Sequence, residues 1–148
     1  MTGARSIGLL FTDREAFRTI DLFRLLYAVT AVVAFFVTEA GRYVYRPYIY
    51  ENGINDLGIA DSMGNLGGIV VQVFFSLAIL KSQKKKAFNV IGFLVAGYIL
   101  YEIVQPYLPK GVFDWKDIIG TFIGGFVSVL VLLLLRLIIK SNRVFIKF

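Results

Sequence analysis

Polar residues are spaced along this chain so as to leave four long apolar runs, each closed by charges or by helix-breaking residues. The first is LFRLLYAVTAVVAFFV, within 22–40, interrupted only by Arg24. The second, 58–80, runs uncharged after Asp61 until it meets Lys81, Lys84, Lys85 and Lys86. The third, 87–108, carries Glu102 and Gln105 near its end and stops at Pro106 and Pro109. The fourth, 115–139, is uncharged from Ile118 to Leu135 and ends at Arg136 and Lys140. A helix rises about 1.5 Å per residue, and roughly 20 apolar residues cross a hydrocarbon core of about 30 Å. The pattern therefore predicts an all-α membrane protein with four transmembrane helices and short connections.

The flanks refine this picture. Residues 1–21 contain Thr12-x-x-Glu15, a capping box that predicts a helix start, and Phe11, Phe17 and Ile20 alternate with charges. That segment reads either as an amphipathic helix at the membrane interface or as a frayed tail entering the first span. A charged leader of this length does not read as a secretory signal. Arg24 is expected to lay its stem along the helix and place its guanidinium in the interface. Tyr43, Tyr45, Tyr48 and Tyr50 form an aromatic belt at the far end of span one, and Pro47 and Gly53 predict that the helix stops there. Residues 141–148 form a basic tail.

Composition agrees: 57% of residues are hydrophobic, and mean hydropathy is +0.73. There is no cysteine and no histidine, which excludes disulfides, thiol nucleophiles, thiolate or imidazole metal sites and histidine acid-base chemistry. No cofactor is expected, and no metal. The net charge of +6 sits at span ends, so it points to anionic lipid and not to nucleic acid. Twelve of the sixteen lysines and arginines lie on one side: the amino-terminal segment, the loop between spans two and three, and the carboxyl-terminal segment. The positive-inside rule then places both termini in the cytoplasm of a bacterial inner membrane, with Asp61, Glu102, Asp114 and Asp117 on the outer face.

Two stretches share a spacing. Asp61, Gly64, Asn65, Gly68 and Gln72 match Asp117, Gly120, Thr121, Gly124 and Ser128, and positions i, i+4, i+7 and i+11 fall on one helix face. The glycines, Gln72 and Ser128 are read first as packing residues, with the polar side chains hydrogen-bonding between helices. Asp117 is placed to cap span four. Glu39-x-x-Arg42 echoes Glu102-x-x-Gln105, which suggests two related helical hairpins about an axis along the membrane normal. Glu102 fits packing least well: an acidic residue deep in the bilayer costs about 3 kcal/mol, while an interhelical hydrogen bond returns under about 1 kcal/mol. It either has a functional role or pairs with Arg42, Lys110 or Lys116.

The series Glu102-x-x-Gln105, Pro109-Lys110, Phe113-Asp114, Asp117, Thr121, Gly124 resembles the signature of the VanZ-like membrane proteins, over roughly Leu57 to Leu135. Asp61 and Asn65 fall where that family shows Asp-Lys-x-x-His. Here Ser62 stands for the lysine, Asn65 for the histidine, Lys110 for an arginine and Thr121 for an asparagine. The resemblance implies an envelope role, since the family's named member is associated with low-level teicoplanin resistance, without an agreed catalytic mechanism.

The residues themselves suggest an outer-leaflet site of Asp61, Asn65, Glu102, Gln105, Asp114, Asp117 and Thr121, with Lys110 and Lys116 at its rim. Such a site suits the headgroup of an amphiphile or lipid-linked envelope precursor, with membrane lipids as partners. Were it an enzyme, Glu102 or Asp117 would be the general acid or base. The alternative is an accessory or structural subunit that packs against itself or a larger membrane partner; a third reading is transport, with Gln72 and Ser128 extending the polar stripe to the midplane.

Overall fold

The computed structural model describes the backbone of residues 3–80 and 86–145, and the side chains within 22–80 and 86–139. The described residues are helices and their connections: α1 (Gly3–Ala40), a π-helical turn (Gly41–Tyr45), α2 (Arg46–Glu51), α3 (Ile59–Ile79), α4 (Lys86–Val104), a 3-10 turn (Gln105–Tyr107) and α5 (Trp115–Phe145). Four stretches are long and apolar enough to cross a membrane: Leu22–Glu51, Ile59–Ile79, Lys86–Tyr107 and Trp115–Ile139. The chain is a multi-pass helical membrane protein. Spans two, three and four agree with the hydrophobic pattern to within a residue or so.

Span one differs. α1 is already helical at Gly3, so Thr12 lies inside it and does not start it. At the other end, Pro47 does not stop the helix. Proline lacks an N–H and crowds the carbonyl one turn back, and the preceding π turn, closed by Arg46 N–H donating to the Gly41 carbonyl, adds the extra residue that accommodates it. The helix ends instead at Glu51, where Gly53 takes a left-handed conformation (φ +59°) and Ile54 N–H donates to the Ile49 carbonyl at 3.1 Å. The basic loop from Lys81 to Lys85 and the last three residues lie outside the described residues. α5 continues to Phe145, so the expected basic tail begins as helix.

α3 is the hub. It packs extensively on α1 and α5, and α4 lies against both α3 and α5. The core gathers around the half of α3 nearer Leu80: Ile69, Val70, Val73, Phe74 and Leu77 meet Tyr27 and Ala31 of α1, Ala87 and Ile91 of α4 and Leu132 of α5. Lipid is as apolar as these side chains, so close van der Waals fit holds the helices together. The fit depends on small residues. A Cβ added at Gly67 would lie 2.0 Å from Thr38 Oγ1, and one at Gly124 would lie 2.3 Å from the Leu66 carbonyl oxygen. Gly120 meets Ser62 in the same way.

The two spaced stripes therefore do different things. On α5, Gly120 and Gly124 pack against α3 as expected. On α3, Gly67 does the packing, while Gly64 has open space beside it and Gly68 faces the Tyr98 hydroxyl. Thr121 and Ser128, both fully buried, do not hydrogen-bond between helices; each hydroxyl donates to its own helix, to the carbonyls of Asp117 (2.9 Å) and Gly124 (2.8 Å). A buried hydroxyl satisfied one turn back needs no partner helix. Arg24 also departs from expectation, because its Nε donates to the Ala78 carbonyl at 2.9 Å and closes the last turn of α3.

Candidate functional site

Asp61, Glu102, Asp114 and Asp117 collect at one end of the bundle, where α4 ends and α3 and α5 begin. The helix starts are built by aspartates that precede them. Asp56 accepts from Gly58 N–H (3.0 Å), Ala60 N–H (2.6 Å) and the Tyr45 hydroxyl (3.2 Å), capping α3 and tying the π turn to it. Desolvation in the loop raises the Asp56 pKa, but these three hydrogen bonds to the ionised carboxylate prevail and leave it below the ordinary Asp value. Asp114 caps α5, accepting from Lys116 N–H at 2.9 Å on its side chain and from Asp117 N–H at 3.1 Å on its carbonyl. The cap is thus Asp114 and not Asp117, which lies in the first turn. Asp56 was missed in the sequence, although Asn55-Asp56-x-Gly58 ahead of an apolar helix is a readable start signal.

Two clusters stand on these helix starts. In the first, Lys116 Nζ pairs with Asp61 Oδ2 at 2.7 Å, Arg46 approaches Asp61 Oδ1 at 4.0 Å, and the Tyr50 hydroxyl donates to the same oxygen. Gly58 makes this possible: its backbone is left-handed (φ +86°), and a Cβ there would lie 2.9 Å from Cδ of Lys116, whose stem crosses it to reach Asp61. The sequence reading places Tyr50 only in the aromatic belt and gives Arg46 no part in the site.

In the second cluster, Glu102 is 2% exposed. Asn65 Nδ2 donates to its Oε1 at 2.8 Å, and the Gln105 amide nitrogen, in the orientation that satisfies both ends of that amide, donates to Oε2 at 2.7 Å and to the Val112 carbonyl at 2.8 Å. Among the described residues Glu102 forms no ion pair, so pairing with Arg42, Lys110 or Lys116 is not how its burial is met. The network joins three segments: α3 through Asn65, the 3-10 turn after α4 through Gln105, and, by way of Gln105, the following loop at the Val112 carbonyl. That loop folds close because residue 111 is glycine; a Cβ there would lie 1.9 Å from the Gln105 carbonyl oxygen.

Of the other expected site residues, Asp117 is half-buried between the clusters, and among the described residues no side-chain hydrogen bond reaches its carboxylate. Thr121 is buried and internally bonded. Lys110 is exposed on the loop, in a left-handed conformation (φ +63°). Among the described residues no three carboxylates come together as a metal site would require.

On the face of α3 between α1 and α4 lies a lateral cleft of about 400 Å³. Gly64 and Gly68 form its floor, Thr38 and Tyr98 its walls, and Glu39 and Arg42 one end; Phe35, Val71 and Phe75 line it further along α1 and α3, with Gln72 accepting from the Tyr98 hydroxyl at 2.9 Å. Gln72 and Ser128 do not line one path: Gln72 faces this cleft, whereas Ser128 is buried against its own helix. No protein-family model matches the chain, and neither the curated proteins nor the solved structures compared with it give a match.

Proposed function

We propose that this protein binds an amphiphile or lipid-linked envelope component from the outer leaflet of a bacterial cytoplasmic membrane. Both termini are cytoplasmic in this reading, so the carboxylate end of the bundle faces outward. The lateral cleft carries the proposal. Its volume lies within the range of small-molecule sites, roughly 300–1,000 Å³, and its lining combines apolar side chains with a few polar groups near the rim. The Asn65–Glu102–Gln105 network and the Asp61–Lys116 pair do not line the cleft; they brace the helix ends that carry it. Glu102, with both oxygens held by amides, acts here as a strut; Asp117 is the carboxylate left for acid-base work if a headgroup is processed. The VanZ-like pattern agrees with an envelope role and adds a phenotype, reduced teicoplanin susceptibility.

The test is the amphiphile that copurifies with the full chain, extracted and quantified from wild type and Gly64→Leu. A side chain at residue 64 enters open space in the cleft, so the variant folds and carries several-fold less lipid. Equal amounts on both would remove the cleft as the binding site. The second reading, an accessory subunit, is favoured by one observation: Asp61 and Glu102 are both engaged by protein groups that join separate helices. In that case Glu102→Gln and Asp61→Asn would disturb assembly with a partner and leave lipid content unchanged.

A further inference from the structure

The cleft has a definite length. Along α3 it runs from Gly64 to Phe75, about 16 Å at 1.5 Å per residue, which is close to half of a hydrocarbon core of about 30 Å. A groove one leaflet deep suits the chain of a lipid whose headgroup stays at one surface.

The rim supplies the headgroup chemistry. Arg42 Nη1 and Glu39 Oε1 stand 3.1 Å apart, both side chains accessible, and both line the mouth of the cleft. Exposed pairs of this kind hold together weakly, so a ligand that carries both signs can replace the contact with little loss. Arg42 offers forked N–H donors suited to a phosphate. Glu39 accepts only, and so suits an N–H donor. The π turn that contains Arg42 is held against α3 at the level of the rim: a Cβ at Gly41 would lie 2.8 Å from Met63 Cγ. Arg42 is thus presented from a seated backbone and not from a loose loop.

We infer that the cleft takes one chain of a zwitterionic phospholipid bearing a primary amine, its phosphate on Arg42 and its ammonium on Glu39. This rests on the amphiphile-binding reading and narrows it to a lipid class. An anionic phosphoglycerol headgroup would meet Glu39 without a compensating cation. A quaternary ammonium would sit near Glu39 without an N–H to donate.

Native mass spectrometry of the full chain, with equimolar phosphatidylethanolamine, phosphatidylglycerol and phosphatidylcholine of matched chains, tests it. Wild type is expected to retain one phosphatidylethanolamine in preference to each of the others by about fivefold, the ratio that ~1 kcal/mol represents. Glu39→Gln should erase that preference while lipid is still retained, and Arg42→Gln should lower retention of all three. Unchanged melting temperatures would show that these exposed substitutions leave the fold alone. Equal or stronger retention of phosphatidylglycerol by wild type, or a preference that survives Glu39→Gln, overturns the headgroup assignment. If Gly64→Leu still blocks retention of every lipid, the cleft reading stands despite that failure; if Gly64→Leu retains lipid like wild type, both fall.

Discussion

Glu102 is a carboxylate whose burial is met by amides and not by a cation. Removing it would leave the amide nitrogens of Asn65 and Gln105 without their acceptor, and each buried unsatisfied donor costs roughly 1–3 kcal/mol. Glu102→Ala should therefore lower stability by about 2–4 kcal/mol in detergent melts, with Glu102→Gln losing less because it keeps one acceptor and its neighbours can rotate. Equal melting of Glu102→Ala and wild type would show that the network is not a strut. Asp56 gives a pH signature. Its folded pKa lies below the unfolded value, so its stabilisation is full above about pH 3.9 and disappears as pH falls through the lower folded value. Wild type should melt above Asp56→Asn at pH 7, and the gap should close in acid; a gap independent of pH would assign the effect to hydrogen-bond geometry and not to charge. That an acidic residue at position 102 needed a special reason was legible in the sequence. Its partners were not, because Asn65 lies 37 positions away and meets it only through the α3–α4 contact.

At the scale of elements, the extents of α3 and α4 and the start of α5 followed from hydrophobic runs closed by charge and proline, whereas the capping aspartates and the continuation of α5 to Phe145 did not. Which glycines pack did not follow. Gly64, Gly67 and Gly68 are neighbours in sequence, yet only Gly67 lies against α1, and a helix turns about 100° per residue, so one position separates a contact from a cleft floor. Gly67→Leu should force α1 from α3 and cost about 1–3 kcal/mol or more, whereas Gly64→Leu should stay within about 0.5 kcal/mol of wild type. Comparable losses in thermal denaturation would contradict this packing. The repeated Asp-x-x-Gly pattern belongs to the helices that meet at the centre, α3 and α5, but it does not give them equivalent surroundings. α4 touches both, and its presence turns the polar stripe of α3 toward Glu102 and Tyr98 while that of α5 faces α3.

For the whole molecule, the proposed orientation places the clustered carboxylates outside and the basic loops inside. The absence of cysteine makes this directly testable. In intact cells an impermeant maleimide should label Glu51→Cys and leave Asn142→Cys unlabelled until the membrane is opened; the reverse pattern would invert the topology and move the cleft to the inner leaflet. The architecture also explains why polar residues are tolerated at one end of the bundle. The ion pair, the amide network and the two caps join α2, α3, α4 and α5 there, while the other end is held by Phe74, Leu77 and their neighbours and by Arg24 on the end of α3.

What the sequence determined by itself was the solvent and the count: long apolar runs cannot be placed in water, and their charged ends bound four spans and gather the carboxylates at one end. It could do so because hydrophobic periodicity and the bias of lysine and arginine are local or one-dimensional properties. Only the tertiary structure decided that Asp61 pairs with Lys116, that Glu102 sits between two amides, and that α1, α3 and α4 leave a cleft between them. Those outcomes depend on the rotation of each helix about its axis and on which helices touch, and neither is written in the spacing of residues along a single chain.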